Sequence, residues 1–440
     1  MALTVTSLAL ASLFSQSPPA EPPKGAQVTT DLPSETPSLG VQPLGALDFS
    51  DEMTQGRAKL AQQGFIFNLN LTLDSGWNFT GGARAGGFME GLVTATAQFD
   101  LEKIASIRGG SFLVSWQSFF DTNPGAYNLV PDYWGWESID SALGNLNQLS
   151  QCYYSQSLID GALVVTFGKQ DALNSFLNPL GATGYFISNV DTYPAPMIQY
   201  TPTYPDQAMG VVLVGKPADW LELKSGWFDG TNSYPSGRVP PHSTGSLGPG
   251  TFFDNPGSWF FINEIDTSWS CEGGLEGSAA VGGWWQSGKS IAYVTNGPAD
   301  PQVSDLTGGW YAQATQRIYN PDPTSTVVRG VRLFTQGAWG SPSSNPAHWS
   351  VAGGFAFDGP LPGRDGDSFG IAAGYAAFSS NPQVYQAQSG LYELNIEAYY
   401  SIAVTSWMFL QPDIQIIVTP RGSSELPTAV VGMLRLSVNF

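Results

Sequence analysis

The sequence is short of charge, cysteine and histidine, and it lacks long hydrophobic runs. Only 12% of its 440 residues are Asp, Glu, Lys or Arg, about half the usual share in a soluble globular protein. The hydrophobic share is an ordinary 42%, so neutral polar residues and 51 glycines replace the missing charges. This balance suits β-strands with one apolar face and one wetted face.

Basic residues are the scarcer charged class, with 17 Lys plus Arg against 36 acids and a formal net charge of −19. Because binding to phosphates needs a basic footprint, we expect no nucleic-acid partner. The two cysteines, Cys152 and Cys271, are too far apart in sequence for a CxxC metal or redox motif. We expect two unpaired structural thiols, although this spacing leaves a disulfide open.

The scarcity of histidine argues against an enzyme. The only two histidines, His242 and His348, fall in predicted outer loops, where a solvated residue is the simpler interpretation than a general base. The acidic segment with Asp358, Asp365 and Asp367 lacks the spacing of a calcium-binding EF-hand and is interpreted as a turn. We therefore expect no catalytic residues, no cofactor and no metal.

The chain up to residue 64 differs from the rest. Residues 1–20 resemble a secretory signal peptide, because an apolar stretch is followed by small residues and prolines. Residues 21–49 are rich in Pro, Ser and Thr and are typical of a linker. A short helix is predicted over 50–64. Beyond it no apolar run is long enough for a spanning helix, and residues 65–440 are predicted to be β.

Sixteen strand-like segments of about ten residues follow, the length that a tilted strand needs to cross a bilayer. They are Phe65–Asp74, Phe88–Phe99, Gly110–Phe120, Asn147–Ser157, Gly161–Lys169, Gln207–Val214, Asp219–Phe228, Ser258–Thr267, Leu275–Trp285, Gly308–Ile318, Arg329–Trp339, Trp349–Phe357, Asp367–Phe378, Leu391–Ala403, Trp407–Val418 and Ala429–Phe440.

The gaps between these segments alternate in length. Short gaps follow the fourth, sixth and fourteenth segments, and the longest gaps follow the third, fifth and seventh. An outer-membrane barrel has short periplasmic turns and longer extracellular loops. An even number of strands with this alternation places both termini in the periplasm.

Apolar and polar residues alternate within the segments. In "YELNIEAYY", Leu394 and Ile396 fall on one face while Glu393 and Glu397 fall on the other. A membrane barrel would turn the apolar face to lipid, whereas a soluble β-sandwich would turn it to a core. Alternation by itself does not separate these two cases.

The C-terminus and three longer motifs carry a resemblance to a known family. The last segment alternates apolar residues and closes on Phe440. With "TFGKQDALNSF" at 166–176, "LELKSGWFDG" at 221–230 and "YELNIEAYYSIAVTSWMFLQPDIQIIVTP" at 392–420, the chain resembles the carbohydrate-selective porin family of outer membranes. The resemblance covers roughly residues 64–440.

This resemblance implies an all-β, transmembrane antiparallel barrel of about sixteen strands, monomer or trimer, that admits sugars by diffusion in the outer membrane. It also implies that outer-membrane lipids surround the barrel and that the barrel-assembly machinery reads Phe440 as the insertion signal. One departure is "TPRGS" at 419–423, where the resemblance leads us to expect an Asn-Pro-Gly-Gly type of turn.

A diffusion pore needs polar groups that replace part of the hydration of a sugar, and charges that set an electrostatic barrier. Acids and bases on opposing walls would produce a transverse field that orients neutral polar solutes. The alternative for each residue is that it merely pairs with a neighbour. The predicted pore-lining residues are Glu90, Gln117, Glu222, Lys224, Arg317, Arg332, Glu393, Glu397, Asp413 and Arg435.

The long gap between the third and fourth segments contains "AYNLVPDYWGWESID", which is rich in aromatic and acidic residues. Aromatic rings stack on the C–H faces of sugars, and carboxylates accept hydroxyl hydrogens. The predicted sugar-contacting residues of this loop are Tyr127, Asp132, Tyr133, Trp134, Trp136 and Glu137. The alternative for such aromatics is an interfacial girdle, which is also the interpretation we give to Trp284, Trp285, Trp310 and Trp339.

The leading hypothesis is an outer-membrane porin for passive diffusion of small neutral solutes, in particular mono- or oligosaccharides. Three alternatives stay open at this point. The net charge favours a general or cation-preferring pore, and the alternation is equally compatible with a secreted, soluble, β-rich carbohydrate-binding protein. A barrel-embedded lipid hydrolase would require one of the two histidines.

Overall fold

The computed structural model of the protein describes most of the chain after residue 50. The described residues are 51–122, 125–139, 146–178, 185–198, 200–230, 259–290, 304–325, 329–342, 345–380 and 392–440. The predicted signal peptide and linker therefore lie outside the described residues.

In the part of the chain that the structure describes, two short α-helices accompany the strands. Helix α1 (Asp51–Gln62) falls within the range predicted for a helix, and α2 (Leu101–Ala105) follows the second strand. The side chain of Asp100 caps α2 by accepting hydrogen bonds from the backbone N–H groups of Glu102 and Lys103. Among the described residues, no helix is both long and apolar enough to cross a membrane.

The sheet contains sixteen strands, and each predicted segment overlaps one of them. They are β1 (Phe65–Thr80), β2 (Gly86–Asp100), β3 (Gly110–Asp121), β4 (Leu146–Leu158), β5 (Leu163–Gln170), β6 (Ala208–Ala218), β7 (Leu221–Asp229), β8 (Trp259–Cys271), β9 (Leu275–Ser290), β10 (Ser304–Tyr319), β11 (Gly330–Gly340), β12 (Ala347–Asp358), β13 (Ser368–Phe378), β14 (Tyr392–Ala403), β15 (Met408–Val418) and β16 (Ala429–Asn439).

Every strand pairs with its sequence neighbours in antiparallel fashion, and β1 pairs with β16. At this seam Asn70 lies opposite Asn439 and Asp74 lies opposite Arg435. A sheet closed in this way has no free edge, so every strand has both ladders satisfied. The predicted fold class, an all-β antiparallel barrel of sixteen strands, is confirmed.

The two ends of the barrel differ in the length of their connections. At one end, called the turn end, residues 219–220 join β6 to β7 and residues 404–407 join β14 to β15. At the other, called the loop end, residues 122–145 join β3 to β4 and residues 171–207 join β5 to β6. This is the predicted alternation, and it places the first and last strand termini at the turn end.

The outer face of the barrel is apolar and carries rows of aromatic rings. Trp227, Phe261 and Trp285 stack along three neighbouring strands toward the loop end, with ring centroids 6.3 and 4.9 Å apart. Trp310 is the register partner of Trp339 on β11. Trp284 is an exception to the predicted girdle: it is 2% exposed and lies on the inner face, because side chains alternate along a strand and Trp285 already faces outward.

The buried core lies inside the barrel rather than between two sheets. Three clusters of buried apolar residues each combine wall residues with residues of the β3–β4 or β5–β6 connection. Small residues on β13 make room for them. A Cβ atom at Gly374 would come within 2.9 Å of Val190 and 3.0 Å of Trp134, so glycine allows both side chains to pack on this strand.

Candidate functional site

Two connections from the loop end fold into the barrel and occupy part of its bore. We call the described part of the β3–β4 connection, residues 125–139, the first lumen loop. The described parts of the β5–β6 connection, residues 171–178, 185–198 and 200–207, form the second lumen loop. Both contain fully buried residues, such as Val130 and Ile187. The bore is therefore narrowed by chain segments whose backbone polar groups need partners inside the barrel.

Glu393 on β14 holds the middle of the first lumen loop. Its carboxylate accepts hydrogen bonds from the backbone N–H of Tyr133 at 2.9 Å and of Trp134 at 3.0 Å. The Glu393 side chain has no solvent exposure. Hydrogen bonds to a charged acceptor are stronger than neutral ones, and they satisfy backbone groups that would otherwise be buried unpaired.

Two other wall residues hold the same loop. Glu90 on β2 accepts the N–H of Ala126 at 2.8 Å. The side-chain amide of Gln415 on β15 donates to the carbonyl of Trp136 at 2.8 Å. Together with Glu393, these contacts fasten the first lumen loop to three separate strands along its length.

Arg435 on β16 connects this loop to the seam of the barrel. Its guanidinium makes a two-pronged ion pair with Asp74, with Nε to Oδ1 at 2.9 Å and Nη2 to Oδ2 at 2.6 Å. The same Nη2 lies 3.4 Å from a carboxylate oxygen of Glu137 and 3.2 Å from the hydroxyl of Ser138. One cation therefore serves two carboxylates, one on the wall and one on the loop.

Two acids within the loop have perturbed titration. Burial, followed by the nearby Glu393 carboxylate, raises the pKa of Asp132 well above its ordinary value of 3.8. Burial and the carboxylates of Asp74 and Glu90 raise the pKa of Glu137 in the same direction. The Asp132 carboxyl also accepts the N–H of Trp136 at 2.9 Å, so it contributes to the internal structure of the loop.

The second lumen loop is held by the same kind of contact. Glu397, two residues after Asn395 on β14, accepts the N–H of Ile187 at 2.6 Å and of Ser188 at 3.1 Å. On the other side of the bore, Glu264 on β8 accepts the N–H of Leu177 at 2.9 Å. Glu393 and Glu397 are thus on the inner face of the same strand, and each holds a different lumen loop.

The predicted aromatic loop residues are placed inside the barrel, but most of their rings are covered. Trp134 and Trp136 are 0% and 1% exposed, and Trp136 packs edge-on against Phe88 with ring centroids 5.1 Å apart. Tyr133 is half-buried and packs edge-on against Phe378. Tyr127 is the exception at 44% exposed. In this conformation the two indole rings contact the wall rather than an open path.

A charged network lines the inner face of β7 and β8. Lys224 Nζ lies 3.0 Å from Glu264 and also contacts Asp266, and it is 3.8 Å from Glu222. Glu222 is the most exposed acid of the group and pairs with Lys216 at 2.7 Å. The positive charge of Lys224 is therefore largely compensated by its neighbours.

Two arginines stand side by side on β10 and β11. Arg317 and Arg332 are register partners. Arg317 donates to the carbonyl of Arg329 at 3.3 Å, and the guanidinium of Arg332 lies 6.0 Å from the ring centroid of Tyr185 in the second lumen loop. Both arginines are on the part of the inner wall that faces this loop, and the Asp358 carboxylate lies near both of them.

The remaining predicted pore-lining residues also lie on the inner face. Gln117 accepts a hydrogen bond from Gln207 of the second lumen loop at 3.1 Å. Asp413 on β15 accepts one from Gln415 at 3.0 Å. All ten predicted pore-lining residues therefore belong to the inner wall, but most of them contact a lumen loop or each other.

Neither the second lumen loop nor two acids of the inner wall, Glu264 and Asp266, were predicted from the sequence, although Glu397, which also holds this loop, was. Glu264 and Asp266 could have been found, because "INEIDT" alternates and places both on the same face as Ile262. The loop itself has no periodicity that would reveal it. Asp171 at its start accepts the N–H of Leu173 and the hydroxyl of Thr203 at 2.9 and 3.0 Å.

His348 is the second residue of β12 rather than a loop residue, because β12 begins earlier than predicted, and His242 lies outside the described residues. In the β12–β13 turn, Asp367 forms an ion pair with Arg364 at 2.6 Å, and Asp365 pairs with Arg329. The two cysteines are unbonded.

Comparison with known proteins agrees with the porin-like barrel described above. A model of the carbohydrate-selective porin, OprB family, matches residues 89–440. Porin B of Pseudomonas aeruginosa is 23% identical over 432 residues, which span 87% of this chain and 89% of that protein.

Two solved structures share the fold. The high-pH structure of Pseudomonas putida OprB has a TM-score of 0.73 and 18% identity, covering 88% of this chain and 97% of that one. The low-pH structure of the same protein has a TM-score of 0.57 and 16% identity, covering 89% and 98%.

Proposed function

The chain belongs to the carbohydrate-selective porin family, OprB, and from this premise we propose that it lets sugars cross the outer membrane by passive diffusion through its bore. The turn end then faces the periplasm and the loop end faces the exterior. Solutes move down their gradient, and no catalytic step, cofactor or energy input is required.

The observation that carries this proposal is the pair of lumen loops held inside a closed barrel by wall carboxylates. A closed sixteen-stranded barrel with nothing folded into its bore would leave a wide aqueous channel. Here Glu393, Glu397 and Glu264 hold backbone segments within the bore. The loops narrow the bore, and the acids, amides and bases of the inner wall suit small solutes that form many hydrogen bonds.

Charge pairing along the wall favours neutral solutes. Lys224 is compensated by Glu264 and Asp266, and Arg435 by Asp74 and Glu137. We propose that the less buried charges, Glu222 and the Arg332 guanidinium, are the ones that meet a permeating solute. Tyr127 is the aromatic residue of the first lumen loop whose ring is most open to a sugar.

The surroundings of the barrel follow from its outer face. Exposed apolar side chains such as Ile265, Val281 and Ile414 would contact outer-membrane lipids. Phe440 would serve as the signal read by the barrel-assembly machinery, with residues 1–20 as the signal peptide and 21–49 as the linker. A monomer and a trimer are both consistent with this arrangement.

Liposome swelling with a size series of neutral sugars tests the function directly. We expect monosaccharides to enter fastest and the rate to fall with size, whereas liposomes without protein do not swell. Reversal potentials in a salt gradient should show little ion preference. Strong cation selectivity without sugar entry would point to a cation-preferring pore. Recovery of the protein in buffer without detergent would support the soluble alternative.

A further inference from the structure

The turn between β15 and β16 has an unusual backbone. Thr419 has φ 46° and Arg421 has φ 53°, both in the left-handed region that favours glycine. Residues other than glycine persist there when the surrounding contacts hold them, and such sites are often functional. The turn is at the loop end of the barrel, beside the start of the first lumen loop.

Arg421 makes contacts on both sides of this turn. Its backbone N–H donates to Glu393, the same carboxylate that holds Tyr133 and Trp134. Its guanidinium donates to the hydroxyl of Tyr127, 294 residues earlier in the chain, and lies 5.9 Å from the centroid of that ring. The side chain thus spans from one connection of the loop end to another.

Tyr127 is in the 3₁₀ turn Ala126–Asn128, at the point where the first lumen loop enters the bore. The contacts of this loop with Glu90 and, through Trp134, with Glu393 are buried, whereas the contact between Arg421 and Tyr127 is exposed. A solute that arrives from the loop end can therefore reach this contact.

We propose that Arg421 is a positioning residue for permeation: its guanidinium holds Tyr127, and with it the start of the first lumen loop, against the rim of the barrel. The position of this loop segment determines the width of the entrance and the largest sugar that passes. The inference rests on the proposed function, because it concerns the size limit of the same path. The planar guanidinium presents its N–H donors in a fixed direction toward the hydroxyl, which a flexible lysine ammonium does less well.

Arg421→Gly tests the side chain alone. Glycine keeps the N–H that donates to Glu393 and is unstrained at this φ, so the turn should fold. The matched control is Thr419→Gly, which relieves a similar backbone strain in the same turn without removing the guanidinium. Liposome swelling is measured with a series from monosaccharide to tetrasaccharide for both variants and the unmodified protein.

We expect Arg421→Gly to raise the rate for the larger sugars relative to the monosaccharide by about two- to fivefold, the effect of losing one exposed contact of this kind. Thr419→Gly should keep the size profile of the unmodified protein. The proposal is overturned if Arg421→Gly leaves the profile unchanged or if Thr419→Gly shifts it equally. If the unmodified protein passes no sugar, the proposed function itself fails.

Tyr127→Phe provides a second test that does not touch the turn. It removes the hydroxyl that accepts from Arg421 and keeps the ring. We expect a smaller shift in the same direction, and no further shift when Tyr127→Phe is added to Arg421→Gly. Fully additive effects of the two substitutions would show that the residues act separately and would overturn the proposal.

Discussion

Asp74 and Arg435 lie directly opposite each other across the seam where β1 meets β16, and they form the ion pair that lies closest to the closure of the barrel. Asp74 has no solvent exposure, and the Arg435 side chain is only 16% exposed. Removing one partner of such a pair leaves the other charge buried without compensation, which costs far more than an exposed pair is worth.

We therefore expect Arg435→Met to destabilise the barrel by about 3–5 kcal/mol. The free energy of unfolding is measured by urea titration in detergent, and unfolding is monitored as the loss of the compact band on unheated gels. Arg108→Met is the matched control, because Arg108 pairs with Asp160 at 2.9 Å but both side chains are more than 80% exposed. Adding Asp74→Asn to Arg435→Met should recover part of the loss, and an Arg435→Met barrel as stable as the control would contradict this account.

The anchor of the second lumen loop gives a prediction for conductance. Glu397→Gln removes the negative charge that accepts the N–H groups of Ile187 and Ser188. Because charge-assisted hydrogen bonds are about twice as strong as neutral ones, we expect a looser loop, a larger and noisier single-channel conductance, and faster swelling with large sugars. Glu222→Gln is the charge-matched control: it removes an acid of the wall that we propose meets the solute, but the contacts of Glu222 are with Lys216 and Lys224 rather than with a lumen loop. Equal effects of both substitutions would show that wall charge, not loop anchoring, is responsible.

Asp171 makes the second lumen loop sensitive to pH. Burial raises the pKa of its carboxyl from 3.8 to about 6, so the folded loop binds a proton that the unfolded chain has already released. The stabilisation is therefore fully present below pH 3.8 and is lost as the pH rises through about 6. We expect the N–H of Tyr204, which donates to Asp171, to exchange more slowly at pH 4 than at pH 7.5 after correction for intrinsic rates.

Asp171→Asn isolates this effect. Leu173 and Tyr204 donate to different oxygens of Asp171, so the single amide oxygen accepts only one of these N–H groups. The amide does not titrate, so the corrected exchange of Tyr204, although faster overall, should be the same at both pH values. If the variant keeps the pH dependence of the unmodified protein, another group is responsible.

The strand residues show how far the sequence could predict the structure. Along β14, alternation identified Glu393 and Glu397 as inward-facing because a strand in a barrel wall has only two faces. It did not show that both carboxylates bind backbone N–H groups. Those partners lie on irregular loops more than 200 residues earlier, and a loop without periodicity gives no sequence signal for the direction of its N–H groups.

Trp284 and Trp285 show a second limit. Adjacent residues of a strand face opposite sides, but the segment "GGWWQ" contains no polar and apolar alternation that shows which of the two tryptophans faces inward. The difference comes from contacts made after folding: Trp284 stacks on Tyr200 of the second lumen loop with centroids 5.0 Å apart, while Trp285 stacks on Phe261 on the outer face.

The C-terminal residue provides a test of assembly. Phe440 stacks on Trp407 with centroids 5.9 Å apart, and its N–H donates to the carbonyl of Leu69 at 2.8 Å. Phe440→Ala keeps the backbone bond and removes the ring, so we expect little change in the stability of barrels that have formed but less folded barrel in membranes of expressing cells. Leu434→Ala, also on the outer face of β16, is the control. Equal yields of folded barrel for both variants would show that the terminal ring is not the assembly signal.

Substitutions on β9 can test which face of the strand contacts lipid. Val281 is 59% exposed on the outer face, whereas Ala280 is fully buried on the inner face. An arginine at a lipid-facing position near the middle of the bilayer costs about 2–4 kcal/mol, and this cost falls toward the interfaces. We therefore expect Val281→Arg to reduce the fraction of folded barrel in lipid vesicles strongly. Glu276→Arg, near the turn end of the same strand, should fold nearly as well as the unmodified protein, because Glu276 is on the same face of the strand as Ala280 and is exposed to water rather than to lipid. If Val281→Arg folds as readily as Glu276→Arg, the outer face of β9 does not contact hydrocarbon, and the assignment of this surface to the membrane is wrong.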